Sequence, residues 1–193
     1  MVKELSPELK DAIAKTIAEA ERRTSAEIVL VVLPASDTYE SHLLSYGLAL
    51  GSSIGMGLWM EKIVTGFPLL FSIQVASMMV MLFVPLLRNL CLKLIPKHVL
   101  HHQAARRAFE EFLIVSRNVP AERPVILLYI SLAERYVHIL HSRAVPQKIP
   151  NESWEAIVLE FTIQMKKSNL QEACIAAIQS ISRTLEPHFP KNH

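Results

Sequence analysis

Glycine is confined to one short part of this 193-residue chain. All five glycines lie between Gly47 and Gly66, and none occurs in the long polar segments on either side. Phosphate-binding loops, the dinucleotide fingerprint and the nucleophile elbow all need glycine where the backbone turns sharply or approaches a ligand. The polar segments therefore lack these motifs, which argues against the kinase, P-loop, Rossmann and α/β-hydrolase classes.

Cysteine and aspartate are almost as scarce. Cys91 and Cys174 stand far apart and form no CxxC pair, so the sequence indicates neither a disulfide framework nor a zinc site. Asp11 and Asp37 are the only aspartates, and no two acids stand at a spacing that suggests a catalytic pair. We therefore predict no catalytic residue and no cofactor.

Excess charge of one sign is also missing. The formal net charge is only +2, so charge does not indicate a nucleic-acid partner. The basic pair Arg106-Arg107 has no run of aromatic residues beside it that could stack on bases. We predict no binding to nucleic acid.

Long apolar runs, in contrast, are abundant. Leu43–Met60 and Ile63–Leu87 carry no charge and are separated only by Glu61 and Lys62. A helix needs about 20 mainly apolar residues to cross a bilayer. We therefore predict a transmembrane helical hairpin over residues 43–87, a multi-pass anchor with two spans in the lipid bilayer. A helix pair buried in a soluble core is the alternative.

Three of the glycines share one face of the first predicted span. Gly47, Gly51 and Gly55 recur every four residues, which lets another helix approach closely. We expect this transmembrane packing face to contact the second helix of the same hairpin. The alternative is a homodimer formed through the same face.

Basic residues give the predicted orientation. Arg88, Lys93 and Lys97 follow the second apolar run closely, Arg22 and Arg23 precede the first, and the tip between the runs holds a single lysine. By the positive-inside rule, both termini are expected in the cytoplasm.

The polar segments on the two sides of the apolar runs are predicted to form one domain. Residue periodicity indicates a helix and a strand before the hairpin, then a helix, two strands and two helices after it. The strands from the two sides should pair in one sheet covered by helices. The predicted fold class is α/β, with residues 1–42 and 88–193 forming one discontinuous cytoplasmic domain.

Several segments stand in a characteristic order around the hairpin. They are ERRTSAEIVLVVLP (Glu21–Pro34), ARRAFEEF (Ala105–Phe112), ISLAERYVHIL (Ile130–Leu140), Trp154 and the terminal HFP (His188–Pro190). Together they resemble the TPM-domain family, in its bacterial membrane-protein branch with a transmembrane hairpin inserted in the domain. The resemblance covers most of the chain.

The resemblance implies a small TPM-like α/β sandwich, interrupted here by the two-helix transmembrane hairpin. Glu27, Ser131 and Glu134 match the strand patterns of the family. Some members are associated with acid phosphatase activity or divalent metals, and others with assembly or repair of membrane complexes. Arg123-Pro124 and His141-Ser142-Arg143 replace a threonine-glycine pair and an aspartate near a glycine. The resemblance therefore does not carry over a metal or phosphatase site.

Histidines and two glutamates are the remaining candidates for a metal site. His101 and His102 share a helical face with His98, whereas His138 and His141 should lie on opposite faces of a strand. Neutral imidazole is a common ligand of transition metals. A site would draw on His101, His102, His138, His141, Glu134 and Glu27. We nevertheless predict no metal, because a basic stretch near a membrane and a capping turn glutamate explain the same residues.

These observations together predict a membrane-anchored TPM-like domain in a bacterial inner membrane. We expect it to be non-enzymatic and to bind a protein partner, in the membrane or the cytoplasm, or to support a membrane complex. The alternative is a metal-dependent acid phosphatase-like hydrolase. A small channel or transporter subunit is a third candidate.

Overall fold

The computed structural model describes residues 7–63, 65–84, 93–120, 122–143, 145 and 148–191, with side chains from residue 10 onward. The predicted order of elements and the α/β class are confirmed in that part of the chain. The elements are α1 (Pro7–Arg23), β1 (Glu27–Leu33), α2 (Glu40–Met60), α3 (Phe67–Phe83), α4 (Lys97–Arg117), β2 (Val125–Ser131), β3 (Tyr136–His141), α5 (Asn151–Lys167) and α6 (Leu170–Leu185).

The sheet joins strands from the two sides of the apolar runs, as expected. It has three strands in the order β1-β2-β3. β1 pairs with β2 in parallel from Glu27 opposite Val125 to Leu33 opposite Ser131. β2 pairs with β3 in an antiparallel hairpin that closes at Tyr136. Every residue of the central strand β2 is buried, which explains why its sequence is apolar on both faces.

Alternate side chains of the sheet enter two different cores. Ile28, Ile126 and Leu128 point into the larger core with residues of α1, α5 and α6. Leu127 and Tyr129 point to the other face, where Ala108 of α4 covers them. The period of two along each strand thus places helices on both faces of the sheet.

The end of the chain is fastened to the start of β1. Thr24 is fully buried, and its Oγ1 donates a hydrogen bond of 2.7 Å to the carbonyl oxygen of Phe189. The backbone nitrogen of Ser25 donates to the same oxygen at 2.9 Å. The C-terminal segment around Phe189 therefore belongs to the fold.

Two compact units make up the chain. The first, here called the α/β unit, comprises Met1–Ser36 and Gln103–His193, and the second comprises Asp37–His102. The predicted anchor, residues 43–87, lies inside the second unit, whose two long helices α2 and α3 we call the helix pair. Of the predicted second span, residues 64 and 85–87 lie outside the described residues.

Glycines bring the two helices of the helix pair close together. Gly47, Gly51 and Gly55 are buried in α2. A Cβ atom on Gly47 would lie 2.8 Å from the Cα of Met78, and one on Gly51 would lie 3.1 Å from the Cα of Gln74. The glycine face is therefore covered by α3 of the same chain. A homodimer through this face would require α3 to be displaced.

The two helices differ in how well they fit a membrane span. Among the described residues, only Glu40–Met60 is long and apolar enough to cross a bilayer by length and composition, and only 22% of its most apolar stretch is buried. Phe67–Phe83 is apolar but shorter. The structure thus provides one candidate span where the sequence predicts two.

Replacing Gly47 by alanine tests the close approach of the helices. We expect Gly47→Ala to lower the free energy of unfolding of the helix pair by about 1–3 kcal/mol, since the new Cβ collides with backbone that cannot rotate away. Thermal unfolding of the full chain in detergent, followed by helix circular dichroism, measures the change.

Gly57→Ala is the matched control, because nothing lies within 4 Å of a Cβ at that position of the same helix. It should leave stability unchanged or raise it slightly, as alanine favours helix over glycine. Equal effects at Gly47 and Gly57 would contradict the packing described here.

Candidate functional site

The parallel strands β1 and β2 end side by side. Their last paired residues are Leu33 and Ser131. The backbone nitrogens of Leu132 and Ala133 then donate hydrogen bonds of 3.0 Å to the carbonyl oxygens of Leu33 and Pro34. Ligands of α/β proteins commonly bind at the carboxyl ends of parallel strands, so this edge of the sheet is the candidate functional site.

Four polar side chains meet at this edge, and we call them the polar centre. They are Ser36, Tyr129, Ser131 and Glu134. The Oγ of Ser36 lies 2.9 Å from the hydroxyl of Tyr129 and 2.8 Å from the Oγ of Ser131. Ser131 donates its hydroxyl proton to Oε2 of Glu134. The four residues therefore form one continuous hydrogen-bonded network.

Glu134 is the buried acid of this network. Its residue is 4% exposed, and its Oε1 accepts a hydrogen bond of 3.0 Å from the backbone nitrogen of Ser36. Both carboxylate oxygens thus serve hydrogen bonds within the protein. A buried carboxylate requires such partners, because burying an unpaired charge lowers the stability of the fold by on the order of several kcal/mol. Glu134 holds the segment after β1 against the β2–β3 turn.

The hydroxyl groups of the polar centre are poorly placed for catalysis. Ser131 is 1% exposed, and its Oγ already accepts a hydrogen bond from Ser36 and donates one to Glu134. Burial raises the pKa of Tyr129, while its hydrogen bond with Ser36 acts in the opposite direction. Burial also raises the pKa of the neighbouring Tyr136. Both phenols stay protonated at neutral pH and act as hydrogen-bond groups.

Glu27 lies at the opposite end of the same strand pair. Its Oε2 forms an ion pair of 2.9 Å with Nη1 of Arg123, whose Nε also donates to the carbonyl oxygen of Ser25 at 3.2 Å. Seven paired residues separate this end from the polar centre, a distance of about 20 Å at the usual rise per strand residue. Glu27 and Glu134 therefore cannot share one metal ion.

The two strand histidines lie on opposite faces of the sheet, as predicted. His138 pairs with Tyr129 and shares its face, whereas His141 pairs with Ile126 and faces the larger core. Burial, followed by the charge of His141, lowers the pKa of His138, which keeps that imidazole neutral at pH 7. The His141 ring lies 5.8 Å from the ring of Trp154 on α5, centroid to centroid. The two imidazoles cannot act on one ligand.

The remaining histidine candidates lie in the second unit. His101 and His102 are exposed residues of α4. Across the part of the chain that the structure describes, no three histidine, cysteine or acidic side chains stand close enough together to hold a metal ion. The predicted candidates therefore stay scattered in the described structure.

Cys174 is the only thiol among the described residues. It is fully buried in α6, and burial raises its pKa to about 12. At neutral pH the thiolate, which is the nucleophilic form, is therefore almost absent. Cys174 fills space in the core, and Cys91 lies outside the described residues.

Ser131 and Glu134 match strand patterns of the family that the sequence resembles, but only Glu134 was a candidate site residue, and Ser36 and Tyr129 were not predicted. The sequence does contain a signal for Ser36. This residue follows shortly after the proline that ends β1, and the ends of parallel strands meet at one edge of a sheet. Tyr129 stood inside an apolar run and carried no such signal.

Comparison with known proteins gives a likeness to a solved structure. No protein-family model matches the sequence, and no curated protein matches it. The fold is similar to the NMR structure of BA42 protein from the psychrophilic bacterium Bizionia argentinensis, with a TM-score of 0.59 and 14% identity. The match covers 100% of this chain and 88% of that one. At this identity the likeness is one of fold, and the TPM resemblance stays a prediction.

Removing the buried carboxylate tests the structural role of the polar centre. We expect Glu134→Ala to lower the free energy of unfolding by about 2–4 kcal/mol, because the nitrogen of Ser36 and the hydroxyl of Ser131 both lose an acceptor. Glu134→Gln keeps one acceptor oxygen and should cost less. Chemical denaturation of the full chain in detergent gives both values.

The exposed Glu155 of α5 supplies the control. Glu155→Ala should change stability by no more than about 0.5 kcal/mol. If Glu134→Ala were equally mild, the network would not hold the strand ends together.

Proposed function

We propose that this chain is a membrane-anchored TPM-like α/β domain that binds a protein partner or supports a membrane complex, without a reaction of its own. The helix pair serves as a two-span anchor in a bacterial inner membrane, and both termini are cytoplasmic. The observation that carries the proposal is the arrangement of polar and apolar groups in the helix pair.

Polar side chains of the helix pair form hydrogen bonds from one helix to the other. Ser77 donates from Oγ to the carbonyl oxygen of Gly47 at 2.8 Å, and Gln74 donates from Nε2 to that of Leu48 at 2.9 Å. The Oγ of Ser52 donates to Oε1 of Gln74 at 3.1 Å. Polar side chains that bond across a helix–helix contact are typical of membrane helices, where water is not available as a partner.

Serines on the outer surface of the pair donate hydrogen bonds to the backbone of their own helix. Ser45, Ser53 and Ser72 each donate to the carbonyl oxygen four residues earlier, at 2.8, 2.8 and 2.9 Å. Such bonds remove the need for water at the hydroxyl. They suit a helix surface that faces hydrocarbon.

Large apolar side chains cover the outside of the pair. Trp59 and Phe71 are more than half exposed, at 55% and 59%. Similar exposure is found at Leu48, Ile54, Met56, Met60, Phe67, Leu69, Met79 and Phe83. An apolar surface this extensive needs a partner or a lipid environment, because soluble monomers seldom leave such patches in water.

The length of α2 agrees with a span. Its 21 residues extend for about 32 Å at the helical rise, against a hydrocarbon thickness of about 30 Å. The 17 residues of α3 extend for about 25 Å, and the proposed second span adds flanking residues, of which 64 and 85–87 are not described.

The polar centre of the α/β unit bears on the choice between a binding role and the phosphatase alternative. The buried carboxylate of Glu134 is held by the backbone of Ser36 and the hydroxyl of Ser131, which is a structural arrangement. The phosphatase alternative needs ligands that converge on a metal, and the described residues contain no such group. Hydrolysis of p-nitrophenyl phosphate by the purified chain with Mg²⁺ would favour that alternative.

Topology reporters test the anchor. With alkaline phosphatase or green fluorescent protein fused at each terminus in turn, we expect fluorescence and no phosphatase activity at both ends, because basic residues flank both apolar runs. The chain should also stay in the membrane fraction after alkaline carbonate extraction. A periplasmic C-terminus, or release by carbonate, would contradict the proposed anchor.

Photocrosslinking in native membranes tests the partners. A benzophenone amino acid at Phe71, on the outside of the helix pair, should form adducts with lipid. The same residue at each exposed large apolar position of the α/β unit should give a protein adduct from at least one of them. These positions are Phe109, Leu113, Ile114, Leu159 and Ile163.

Trp154, which is 4% exposed and does not line a described cleft of the α/β unit, is the control position and should give no intermolecular adduct. An adduct at twice the mass of the chain would identify a homodimer. No lipid adduct at Phe71 would contradict the anchor, and no protein adduct at any of the five positions would contradict partner binding.

A further inference from the structure

A cleft opens beside the polar centre, within the α/β unit. It has a volume of about 450 Å³ and lies between the end of the β2–β3 hairpin and the C-terminal half of α5. The residues that line it are Ile130, Ser131, Leu132, Arg135, Val137, Phe161, Thr162, Met165 and Lys166. Pockets of about 300–1,000 Å³ are typical of small-molecule sites.

One wall of the cleft is apolar. Phe161 and Met165 line it from α5, and Ile130 and Val137 line it from the sheet. Ile130 and Phe161 are almost fully buried, so the wall is fixed by the core behind it. Met165 is an unbranched, polarizable side chain that adapts to different apolar ligands.

The hydroxyl groups at the cleft are already occupied. Thr162 donates from Oγ1 to the carbonyl oxygen of Val158 at 2.8 Å, and Ser131 donates to Glu134. The lining contains no carboxylate. Arg135 and Lys166 are therefore the groups that give the cleft its charge, and it is positive.

Neither cation forms an ion pair with another described residue. The ion pairs of the described residues involve Arg106, Arg107 and Arg123, and none involves Arg135 or Lys166. Lys166 stands in the last turn of α5, where the helix dipole also favours a cation. Arg135 lies in the turn between β2 and β3, so no helix dipole favours its positive charge.

The backbone of Arg135 adds a second observation. Its φ is 51°, in the left-handed region that glycine adopts freely and that other residues adopt at a cost in free energy. A hairpin turn would therefore be more stable with glycine at this position. An arginine at strained backbone beside a cleft points to a role for its side chain.

From these observations we propose that the cleft binds a small amphipathic anion, with one apolar chain against Phe161 and Met165 and an anionic head between Arg135 and Lys166. A carboxylate or a phosphate monoester suits the planar guanidinium of Arg135. Such a ligand is either a free fatty acid from water or a single-chain anionic lipid from a bilayer. The site is independent of the membrane anchor proposed above.

Methionine methyl groups provide the test on the full chain. The protein, labelled with [¹³C-methyl]methionine, is placed in nanodiscs of phosphatidylcholine and titrated with octanoate. We expect a saturable shift of the Met165 methyl signal. Octanol, which lacks the charge, should bind more weakly, and octylammonium should not bind. The methyl signals of Met56 and Met79, on the helix pair, report separately on partition of the ligand into the bilayer.

Charge variants test the head group. Arg135→Gln with Lys166→Gln should weaken octanoate binding by about fivefold to tenfold, because two partly exposed charge contacts are lost. Arg117→Gln with Lys167→Gln removes the same charge outside the cleft and should leave binding unchanged. Arg135→Gly should raise the melting temperature, since it relieves the backbone, and still weaken binding.

Several results would overturn the proposal. They are equal shifts of Met165 with octanoate and octanol, equal binding by the two double variants, or shifts confined to Met56 and Met79. A second titration, with lysophosphatidic acid incorporated in the nanodiscs, distinguishes the two sources. Saturation of Met165 by that lipid but not by octanoate assigns the site to a membrane lipid, and the reverse assigns it to a free acid.

Discussion

The parallel pairing of β1 with β2 is the interaction on which the rest of the structure depends. It joins Glu27–Leu33 to Val125–Ser131 across an inserted unit, Asp37–His102, that folds on its own contacts. Side chains of both strands enter the cores on the two faces of the sheet. The polar centre also depends on this pairing, since Ser36 reaches Glu134 only because the two strands end side by side. Loss of the pairing would therefore remove the core and the polar centre together.

The two units differ in the kind of side chain that they bury. The α/β unit buries leucine, isoleucine and valine and exposes charge, as expected of a domain in water. The helix pair buries three glycines and a serine at its contact and exposes tryptophan, phenylalanine and methionine. One sequence thus follows two patterns of burial, and the change between them coincides with the change of unit. This contrast is the physical basis for proposing that the units meet different solvents.

Local patterns in the sequence were sufficient to predict most of the fold. Residue periodicity predicted a helix and a strand before the apolar runs and a helix, two strands and two helices after them, and the described elements follow that order. The site residues depended on contacts between distant segments, such as Ser36 with Glu134. The left-handed backbone of Arg135 also had no glycine in the sequence to mark it.

The register of the parallel pair is the most direct test of this account. In a variant with Cys91→Ser and Cys174→Ala, cysteines are placed at Leu30 and Leu128, which are opposite each other. Oxidation in native membranes should link them, because paired strand residues lie within the range of Cα distances that a disulfide bridges. Cysteines at Leu30 and Ile126, two residues out of register, lie too far apart and should remain reduced. Equal linkage of both pairs, or linkage of the second pair alone, would contradict the parallel pairing.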